Sequence, residues 1–372
     1  MELTARIERY RAIESARGRP LIVYATSTRQ GLRAMMAGDA VREFIDQIDA
    51  IAESSSVDVL IHSTGGDPLA AWKLMSLLRE RFETVAVLVP FMAFSAATIF
   101  ALGADEVVMH PHASLGPIDP QITITQADGS QRSFAFEDVG AFLRFLNNEV
   151  GLTEQATVSA VIDKLFSVVD PVHVGAAKRA SELSTEVGER LLQMHMTSDE
   201  EKAQAKVIAE RLNKKFFAHA DAVSRSRARE LQLKIADNNP QLERLIWEAF
   251  CGVESYMELR KPFIPMHHFL QNGGAPVATA AAPLVLPLNA PQDVQNNLWN
   301  HVAQQALAGM AAPGIEVAYT LVNGLIESPR AASENRTIGK MSAARVGGGE
   351  IQLSAVDSSI EWAKVDMPEE KP

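Results

Sequence analysis

Short apolar runs alternate with amphipathic stretches along the first third of the chain. Nearly continuous apolar runs at 21–24, 58–62, 85–89 and 106–109 predict buried strands. In the helix predicted to begin at Asp39, apolar residues recur at spacings of three and four, which gives one buried face. Strands and helices that alternate with short loops favour right-handed crossovers and a mostly parallel sheet. The pattern therefore predicts an α/β fold.

The longest uncharged stretch in this part, Thr84–Ala104, has 21 residues, which is long enough to cross a membrane as a helix. Pro90 and the small residues after it interrupt the stretch, and its first part is rich in β-branched valines. We therefore interpret it as a buried strand, a turn and a buried helix. No membrane span is expected.

The second half of the chain changes character. Residues 134–229 are predicted to be mostly helical. Gln271–Ala290 has no charged residue, six alanines and three prolines, a composition typical of linkers. Val317–Ile326 contains Asn323-Gly324, which predicts a hairpin. These changes divide the chain into a domain over 1–270, a linker over 271–290 and a C-terminal extension over 291–372.

Composition excludes several classes of function. The net charge of −11 argues against a protein that binds nucleic acid or anionic lipid, because both would repel it. A single cysteine, Cys251, excludes an internal disulfide framework and any multi-cysteine metal site. The charged N-terminus lacks the apolar core of a signal peptide. We expect a cytoplasmic protein.

The turn after the second predicted strand is the first candidate for chemistry. It reads His62-Ser63-Thr64-Gly65-Gly66 and leads into a helix, so backbone N–H groups are presented at a helix N-terminus. Two glycines allow a ligand to approach the backbone closely. The turn is either an oxyanion hole or phosphate cradle, or a plain strand-to-helix connection. No GxxxxGK[ST] motif occurs in the chain, which argues against nucleotide binding.

Ser95 is the second candidate. It follows a buried strand at the start of a helix, among the small residues Ala93, Ala96 and Ala97. The carboxyl ends of parallel strands are where α/β proteins place their sites, and a helix N-terminus favours developing negative charge. The alternative is that Ser95 only caps its own helix.

Two histidine pairs could suggest a metal site. His110 and His112 lie in the loop rich in proline and glycine after the fourth strand, and His267-His268 lie near the end of the predicted domain. Neither pair has a third ligand nearby in the sequence, and such pairs are more often simply exposed. We predict no metal site.

Three motifs together resemble the serine dehydrogenase proteinase family of the Clp-protease class, whose members have a crotonase-like fold. The motifs are the Gly-Gly turn at His62–Pro68, the small-residue serine turn at Ala93–Thr98, and the segment Asp105–Gln121. With the preceding Ala104, this last segment begins Ala-Asp-Glu-Val-Val-Met, and it ends in Leu-Gly-Pro-Ile-Asp-Pro-Gln from Leu115. Their order and spacing make the resemblance specific. It covers roughly residues 20–260 and none of the C-terminal extension.

The resemblance implies a ClpP/crotonase-like fold of repeated β-β-α and βαβ units and a serine nucleophile at Ser95. It implies that the N–H groups of Gly66 and Ala96 hold the oxyanion, and that an extended peptide is added as a strand. It also implies self-association into a homo-oligomer. The residues that it places beside the substrate are Gly65, Asp67, Pro117, Asp119 and Gln121.

The general base is less clearly indicated. Ile118 stands where the Clp proteolytic subunit has its histidine, and Ala220 stands where that subunit has its aspartate. A serine–lysine dyad, as in the signal peptide peptidase branch, makes Lys178 the first candidate and Lys164 the next. His219 is the alternative base. Each lysine could equally be an ordinary solvated helix residue.

This chain also departs from the family at two turn positions. Ala96-Ala97 replaces the usual Gly-Gly after the serine, and Thr64 replaces a proline.

The sequence therefore predicts a serine peptidase that hydrolyses peptide bonds through an acyl-enzyme on Ser95, without a cofactor. A crotonase-type acyl-CoA enzyme would use the same oxyanion pair on a thioester. A non-catalytic, self-associating scaffold would retain only the fold. No GxGxxG turn supports NAD chemistry.

Overall fold

The computed structural model describes residues 2–32, 34–125, 129–167, 169–214, 222–274, 315–345 and 351–368. Most of the linker predicted at 271–290 lies outside these residues. The alternative base His219 lies outside them as well.

Helices and strands alternate through the first part of the described chain. The strands are β1 (Leu21–Thr26), β2 (Ser56–His62), β3 (Thr84–Val89), β4 (Met92–Ala93), β5 (Glu106–Met109), β6 (Ser114–Leu115), β7 (Gln121–Thr125), β8 (Gln131–Ala135), β9 (Val223–Ser224), β10 (Ile315–Glu327), β11 (Ala332–Arg345) and β12 (Ile351–Lys364). The helices are α1 (Leu3–Arg17), α2 (Val41–Asp49), α3 (Pro68–Arg81), α4 (Ala96–Leu102), α5 (Phe136–Asn148), α6 (Gln155–Phe166), α7 (Pro171–Leu192), α8 (Asp199–Lys214), α9 (Arg225–Glu230), α10 (Pro240–Tyr256) and α11 (Pro265–Phe269).

The central sheet has the strand order β12-β11-β10-β1-β2-β3-β5. Strands β1, β2, β3 and β5 are parallel to one another, with Val59 of β2 opposite Val87 of β3 and Val87 opposite Val107 of β5. The predicted α/β fold with a parallel central sheet is therefore confirmed. Strands β10, β11 and β12 continue the same sheet in antiparallel order from β1.

Helices cover both faces of the parallel part of the sheet. On one face, Val59 and Val87 join a cluster that includes Phe44 of α2, Leu74 of α3 and Phe100 of α4. The other face packs against α1 and α10. Burial of each large apolar side chain contributes about 1.5–3 kcal/mol to folding, which explains why these strands are apolar on both sides.

The stretch Thr84–Ala104 forms strand β3 and helix α4, as the sequence predicted, and the connection between them also contains the two-residue strand β4. All seven residues of α4 are buried. Within the described residues, none of the helices has the combination of length and apolar character needed to cross a membrane.

The predicted hairpin at Asn323-Gly324 is wrong. These two residues lie inside the long strand β10, where the register against β11 shifts between Val322 and Gly324. The connection between β10 and β11 is instead the tight turn in which the Ser328 N–H donates to the Ala331 carbonyl. The Asn323 side chain bonds across the sheet to Asn335 and Thr337, so asparagine here stabilises a bulge.

Two small sheets lie near the carboxyl ends of the parallel strands. One contains β4, β6 and β9, and the other is the hairpin of β7 and β8. A bridge between Ser63 and Ala93 joins the end of β2 to the first small sheet. The turn after β2 and the turn after β4 are thereby held side by side.

Candidate active site

Ser95 lies in the two-residue turn between β4 and α4, with φ 51° and ψ −118°. Its side chain makes no capping hydrogen bond, so the interpretation of Ser95 as an ordinary N-cap is wrong. Non-glycine residues in such a conformation cost about 1–3 kcal/mol and persist only where their surroundings hold them. The Phe94 N–H donates to the Ser63 carbonyl at 3.0 Å, and the Ile99 N–H donates to the Ser95 carbonyl at 3.0 Å.

The Gly-Gly turn contacts the serine turn so closely that side chains would not fit. Gly65 has φ 104°, and a β-carbon there would lie 2.7 Å from the Ser95 β-carbon and 2.9 Å from the Ala96 nitrogen. Gly66 has φ 152°, and a β-carbon there would lie 2.1 Å from the Met36 carbonyl oxygen. Glycine is required at both positions by this approach.

Two backbone donors beside Ser95 remain free. Among the described residues, the N–H groups of Gly66 and Ala96 donate to no protein acceptor. Ala96 is the first residue of α4, where an N–H has no partner within the helix. By contrast, the Gly65 N–H donates to the Ser63 Oγ at 3.0 Å. Unpaired backbone donors of this kind are what the stabilisation of a developing oxyanion requires.

Buried hydroxyl groups support both turns. The Ser63 Oγ accepts a hydrogen bond from the Thr26 hydroxyl at 2.7 Å. The Thr98 Oγ1 lies 2.7 Å from the Ala93 carbonyl and accepts from the Gly116 N–H at 3.0 Å. Nothing in the sequence indicated this supporting role, because a serine or threonine at a strand end or in a helix carries no distinguishing pattern.

Ser95 opens into a cleft of about 550 Å³. The cleft is lined by Thr64, Gly65 and Gly66 on one side, by residues of the segment 27–35 on another, and by Pro120 and Gln121. Its volume lies within the range of ligand-binding clefts, about 300–1,000 Å³. Arg29 is the only charged residue among the described residues that line it, so this lining contains no carboxylate pair of the kind that an acyl-CoA enzyme would use.

The segment before α2 pairs with the backbone on both sides of Gly66, where the resemblance predicts that a peptide substrate binds. The Met36 N–H donates to the Gly65 carbonyl at 2.7 Å, and the Asp67 N–H donates to the Met36 carbonyl at 2.9 Å. The Asp67 side chain also accepts from the Leu69 N–H at the start of α3. These backbone groups of Gly65 and Asp67 are thus already paired, a contact that the sequence did not suggest.

The Pro117–Gln121 loop forms the opposite side of the cleft. The Ile118 N–H donates to the Leu212 carbonyl of α8 at 3.0 Å, and the Ser184 hydroxyl of α7 donates to the Ile118 carbonyl. Pro117 is buried and Asp119 is half-buried, whereas Gln121 lines the cleft. Of the predicted substrate residues on this loop, Gln121 is the one that the structure brings to the cleft.

None of the described candidates for the general base lies beside Ser95 in the cleft lining. Lys178 is 54% exposed, and its Nζ lies 2.7 Å from the Glu182 carboxylate and 5.2 Å from the centre of the Phe136 ring. Lys164 is exposed on α6.

His62 lies near the cleft but does not line it, and its Nε2 is 3.3 Å from the Thr28 Oγ1. Complete burial lowers the pKa of His62 to about 3, so its ring stays neutral.

The paired histidines after β5 pack against an aromatic ring. The His110 ring stacks on Trp247, with 4.9 Å between ring centres, and its Nδ1 accepts from the His112 N–H. Burial lowers the pKa of His110, and the neighbouring His112 lowers it further. Over the described part of the chain, no cluster of three or more potential metal ligands occurs.

Several solved structures resemble the chain at low identity. A mutant of the 1510-N membrane-bound stomatin-specific protease is 14% identical, covers 61% of this chain and 84% of its own, and has a TM-score of 0.37. ClpP1 from Listeria monocytogenes is 13% identical, covers 62% of this chain and 97% of its own, and has a TM-score of 0.31.

Two curated relatives are uncharacterised proteins of Methanocaldococcus jannaschii. They are 38% and 36% identical to this chain over 80 residues, which is 22% of this chain and 28% and 27% of the relatives. The chain thus matches about a quarter of the length of each relative.

Residues 31–134 match the family model described as ClpP-like SDH-type serine proteinase. The Gly-Gly turn, the serine turn and the Leu115–Gln121 loop all fall inside this range. The resemblance predicted from the sequence is therefore confirmed. Residues 31–134 are the part of the chain that matches the ClpP-like SDH-type serine proteinases.

Proposed function

We propose that the protein is a serine peptidase with Ser95 as its nucleophile. The observation that carries the proposal is the conformation of Ser95, whose uncapped side chain opens into a cleft next to two unpaired backbone donors. Strained backbone of this kind is concentrated at functional sites. The match to a serine proteinase family over residues 31–134 supports the same function.

In the proposed reaction, the Ser95 Oγ attacks the carbonyl carbon of a peptide bond and its proton passes to a general base. The N–H groups of Gly66 and Ala96 donate to the oxyanion that forms. The C–N bond then breaks, the base returns the proton to the leaving amine, and water hydrolyses the acyl ester on Ser95. Each oxyanion donor of this kind is worth about 10²–10³ in kcat.

We propose Lys178 as the base, with Lys164 and His219 as alternatives. Its helix α7 packs against α4, which begins directly after Ser95. The neighbouring Ala177 is completely buried in a cluster with Phe134. To act as a base, the Lys178 amine has to exchange its Glu182 partner and its solvent for an apolar environment, because only the neutral amine accepts a proton.

We propose that self-association supplies part of this environment. Helices α5 and α6 bury none of their residues, and they expose the apolar side chains of Phe142, Leu143, Phe145 and Phe166. Large apolar side chains exposed in this number on two consecutive helices favour an interaction surface. A second copy of the chain is the proposed cover.

Labelling with a fluorophosphonate probe tests the proposed nucleophile directly. The probe is expected to modify Ser95, as mapped by peptide mass spectrometry, and Ser95→Ala should lose the label while it keeps the wild-type circular dichroism spectrum. Ser226→Ala, on the exposed surface of α9, is the matched control and should label normally. Modification of another serine, or none in freshly folded protein, would refute the proposal.

A further inference from the structure

A second cavity of about 130 Å³ adjoins the Ser95 cleft. Ala34 and Met35 line both cavities, so the two are separated only by this short segment. The C-terminal strands form the far wall of the second cavity, which we call the tail pocket. Its remaining lining is Tyr24, Thr26, Ala37, Asp39, Asn323, Gly324, Asn335, Ile360 and Trp362.

The tail pocket has apolar walls. The Met35 side chain is 59% exposed and the Ile360 side chain is 70% exposed, although both are large and apolar. Trp362 lies two residues after Ile360 on β12, so their side chains share one face of the sheet. Exposed apolar side chains grouped around one cavity are typical of binding sites.

One carboxylate, that of the exposed residue Asp39, belongs to the lining of this pocket. The Asp39 Oδ2 accepts hydrogen bonds from the Trp362 Nε1 at 2.9 Å and from the Asn335 amide at 3.2 Å. Its Oδ1 has no donor among the described residues. Asp39 is the only charged side chain of the described pocket lining. The pocket therefore combines an oriented negative charge with apolar walls.

We propose that the tail pocket binds a lysine or arginine side chain of a peptide whose scissile bond lies at Ser95; this rests on the proposed function. The methylene stem of such a residue packs along Met35 and Ile360, as long basic side chains do on apolar surfaces. Its cationic head reaches Asp39 and the face of Trp362. A cavity of about 150 Å³ holds a benzene-sized group, so the pocket fits one side chain and not a cofactor.

The overall charge of the protein favours the same class of substrate. A net charge of −11 raises the local concentration of basic peptides near the surface. The C-terminal strands lie outside residues 31–134, so the pocket is a feature that this chain adds to the matched region.

Cleavage of a fluorogenic peptide library that carries lysine, norleucine or glutamate at each scanned position tests the pocket. We expect kcat/KM to be about tenfold higher for lysine than for norleucine at one position, because norleucine keeps the stem and lacks the charge. Asp39→Asn should abolish this preference while it keeps an acceptor for Trp362. Asp49→Asn, which removes the same charge from the exposed end of α2, should retain it.

Two substitutions on the sheet provide a test that does not remove Asp39. Ile360→Lys places an amine beside Asp39 and should also abolish the lysine preference. Ile338→Lys changes an exposed residue of β11 whose side chain lies on the other face of the sheet from Ile360. It should leave the preference intact. Equal preferences in Asp39→Asn and Asp49→Asn, or no preference for a basic residue in the wild type, would overturn the proposal.

Binding to Ser95→Ala separates this proposal from the proposed function. Fluorescence anisotropy with the same labelled peptides should give an about tenfold lower Kd for lysine than for norleucine, without any turnover. If Ser95 is not labelled by the fluorophosphonate and the binding preference persists, the peptidase proposal alone fails. If Ser95 is labelled and the preference is absent, the tail pocket proposal alone fails.

Discussion

At the scale of single residues, Ser95 illustrates how backbone conformation determines chemistry. A serine at a helix start normally accepts a hydrogen bond from the second or third N–H of its helix. At φ 51° the Ser95 hydroxyl makes no such bond. Among the described residues, neither the hydroxyl nor the adjoining Ala96 N–H has a protein hydrogen-bond partner.

Lys178 is the residue on which the proposed dyad depends. Lys178→Met should abolish turnover, because methionine fills a similar volume without the amine. Activity of the wild type should rise with pH along one alkaline limb, since the base must lose a proton before it accepts one from Ser95. The measurement is the pH dependence of kcat/KM on a fluorogenic peptide.

Lys164→Met is the matched control on α6 and should have the milder effect. The fold and assembly of Lys178→Met should remain those of the wild type by circular dichroism and light scattering. Full activity in Lys178→Met, together with loss of activity in His219→Ala, would assign the base to His219.

His62 should make stability depend on pH. Its ring is buried between Phe91 and Phe250, and burial lowers its pKa to about 3. Below about pH 6.5 the unfolded chain binds a proton at this histidine and the folded chain does not. This contribution to stability is therefore lost as pH falls from about 6.5 towards 3.

His62→Phe should remove that dependence. Between pH 7.5 and pH 5, its free energy of unfolding in urea should fall by about 2 kcal/mol less than that of the wild type. His267→Gln, at an exposed histidine, should behave like the wild type. If the free energy of unfolding of His62→Phe falls between pH 7.5 and pH 5 by as much as that of the wild type, His62 titrates normally in the folded state.

The sequence predicted the position of Ser95 because a small-residue turn after an apolar strand is a local pattern. The close approach of Gly65 to Ser95 and the pairing of Met36 with the Gly-Gly turn could not be predicted. Both join segments that are about 30 residues apart in sequence, and no local propensity encodes such contacts. The exposed state of Lys178 is also a tertiary property, because its neighbours in sequence resemble those of a buried helix face.

At the scale of elements, the first helix and the C-terminal strands are joined by a buried ion pair. The Glu327 carboxylate at the end of β10 accepts from the Arg6 Nε at 2.9 Å and from the Tyr10 hydroxyl at 2.7 Å. Both members of the pair are almost completely buried. The pair therefore connects α1, near the start of the described chain, with the end of β10.

Glu327→Gln should lower the free energy of unfolding by about 3–5 kcal/mol, because it leaves the Arg6 charge buried without its partner. The double variant Arg6→Met with Glu327→Met should recover much of this loss. Glu316→Gln breaks the exposed pair with Lys340 and should cost less than about 1 kcal/mol. A free energy of unfolding in urea within about 1 kcal/mol of the wild-type value would contradict this expectation for Glu327→Gln.

The elements themselves were predicted unevenly. The parallel strands are apolar on both sides, and that signal is strong in the sequence. Strand β12 alternates only weakly between apolar and polar residues, so its signal in the sequence is weak. The hairpin signal at Asn323-Gly324 failed because asparagine and glycine also suit a bulge, and only the cross-strand partners Asn335 and Thr337 distinguish the two.

At the scale of the whole molecule, the exposed apolar side chains of α5 and α6 make self-association the central expectation. Light scattering at micromolar concentration should give at least three times the 40.5 kDa of one chain. Phe145→Glu should shift the protein towards the monomer, because a charge in a dry interface is left without a partner. Val207→Glu, at an exposed apolar position on α8, should leave the assembly unchanged.

Assembly and catalysis should then be coupled through α5. Phe136 begins this helix and lies under the Lys178 amine, so a copy that covers α5 would also exclude water from Lys178. We expect Phe145→Glu to lose fluorophosphonate labelling of Ser95 together with assembly, and Ser95→Ala to assemble normally. Wild-type labelling should weaken when the protein is diluted below the dissociation constant of the assembly, as measured by gel fluorescence at matched probe concentration. Full labelling of a monomeric Phe145→Glu protein would mean that each subunit completes its own site.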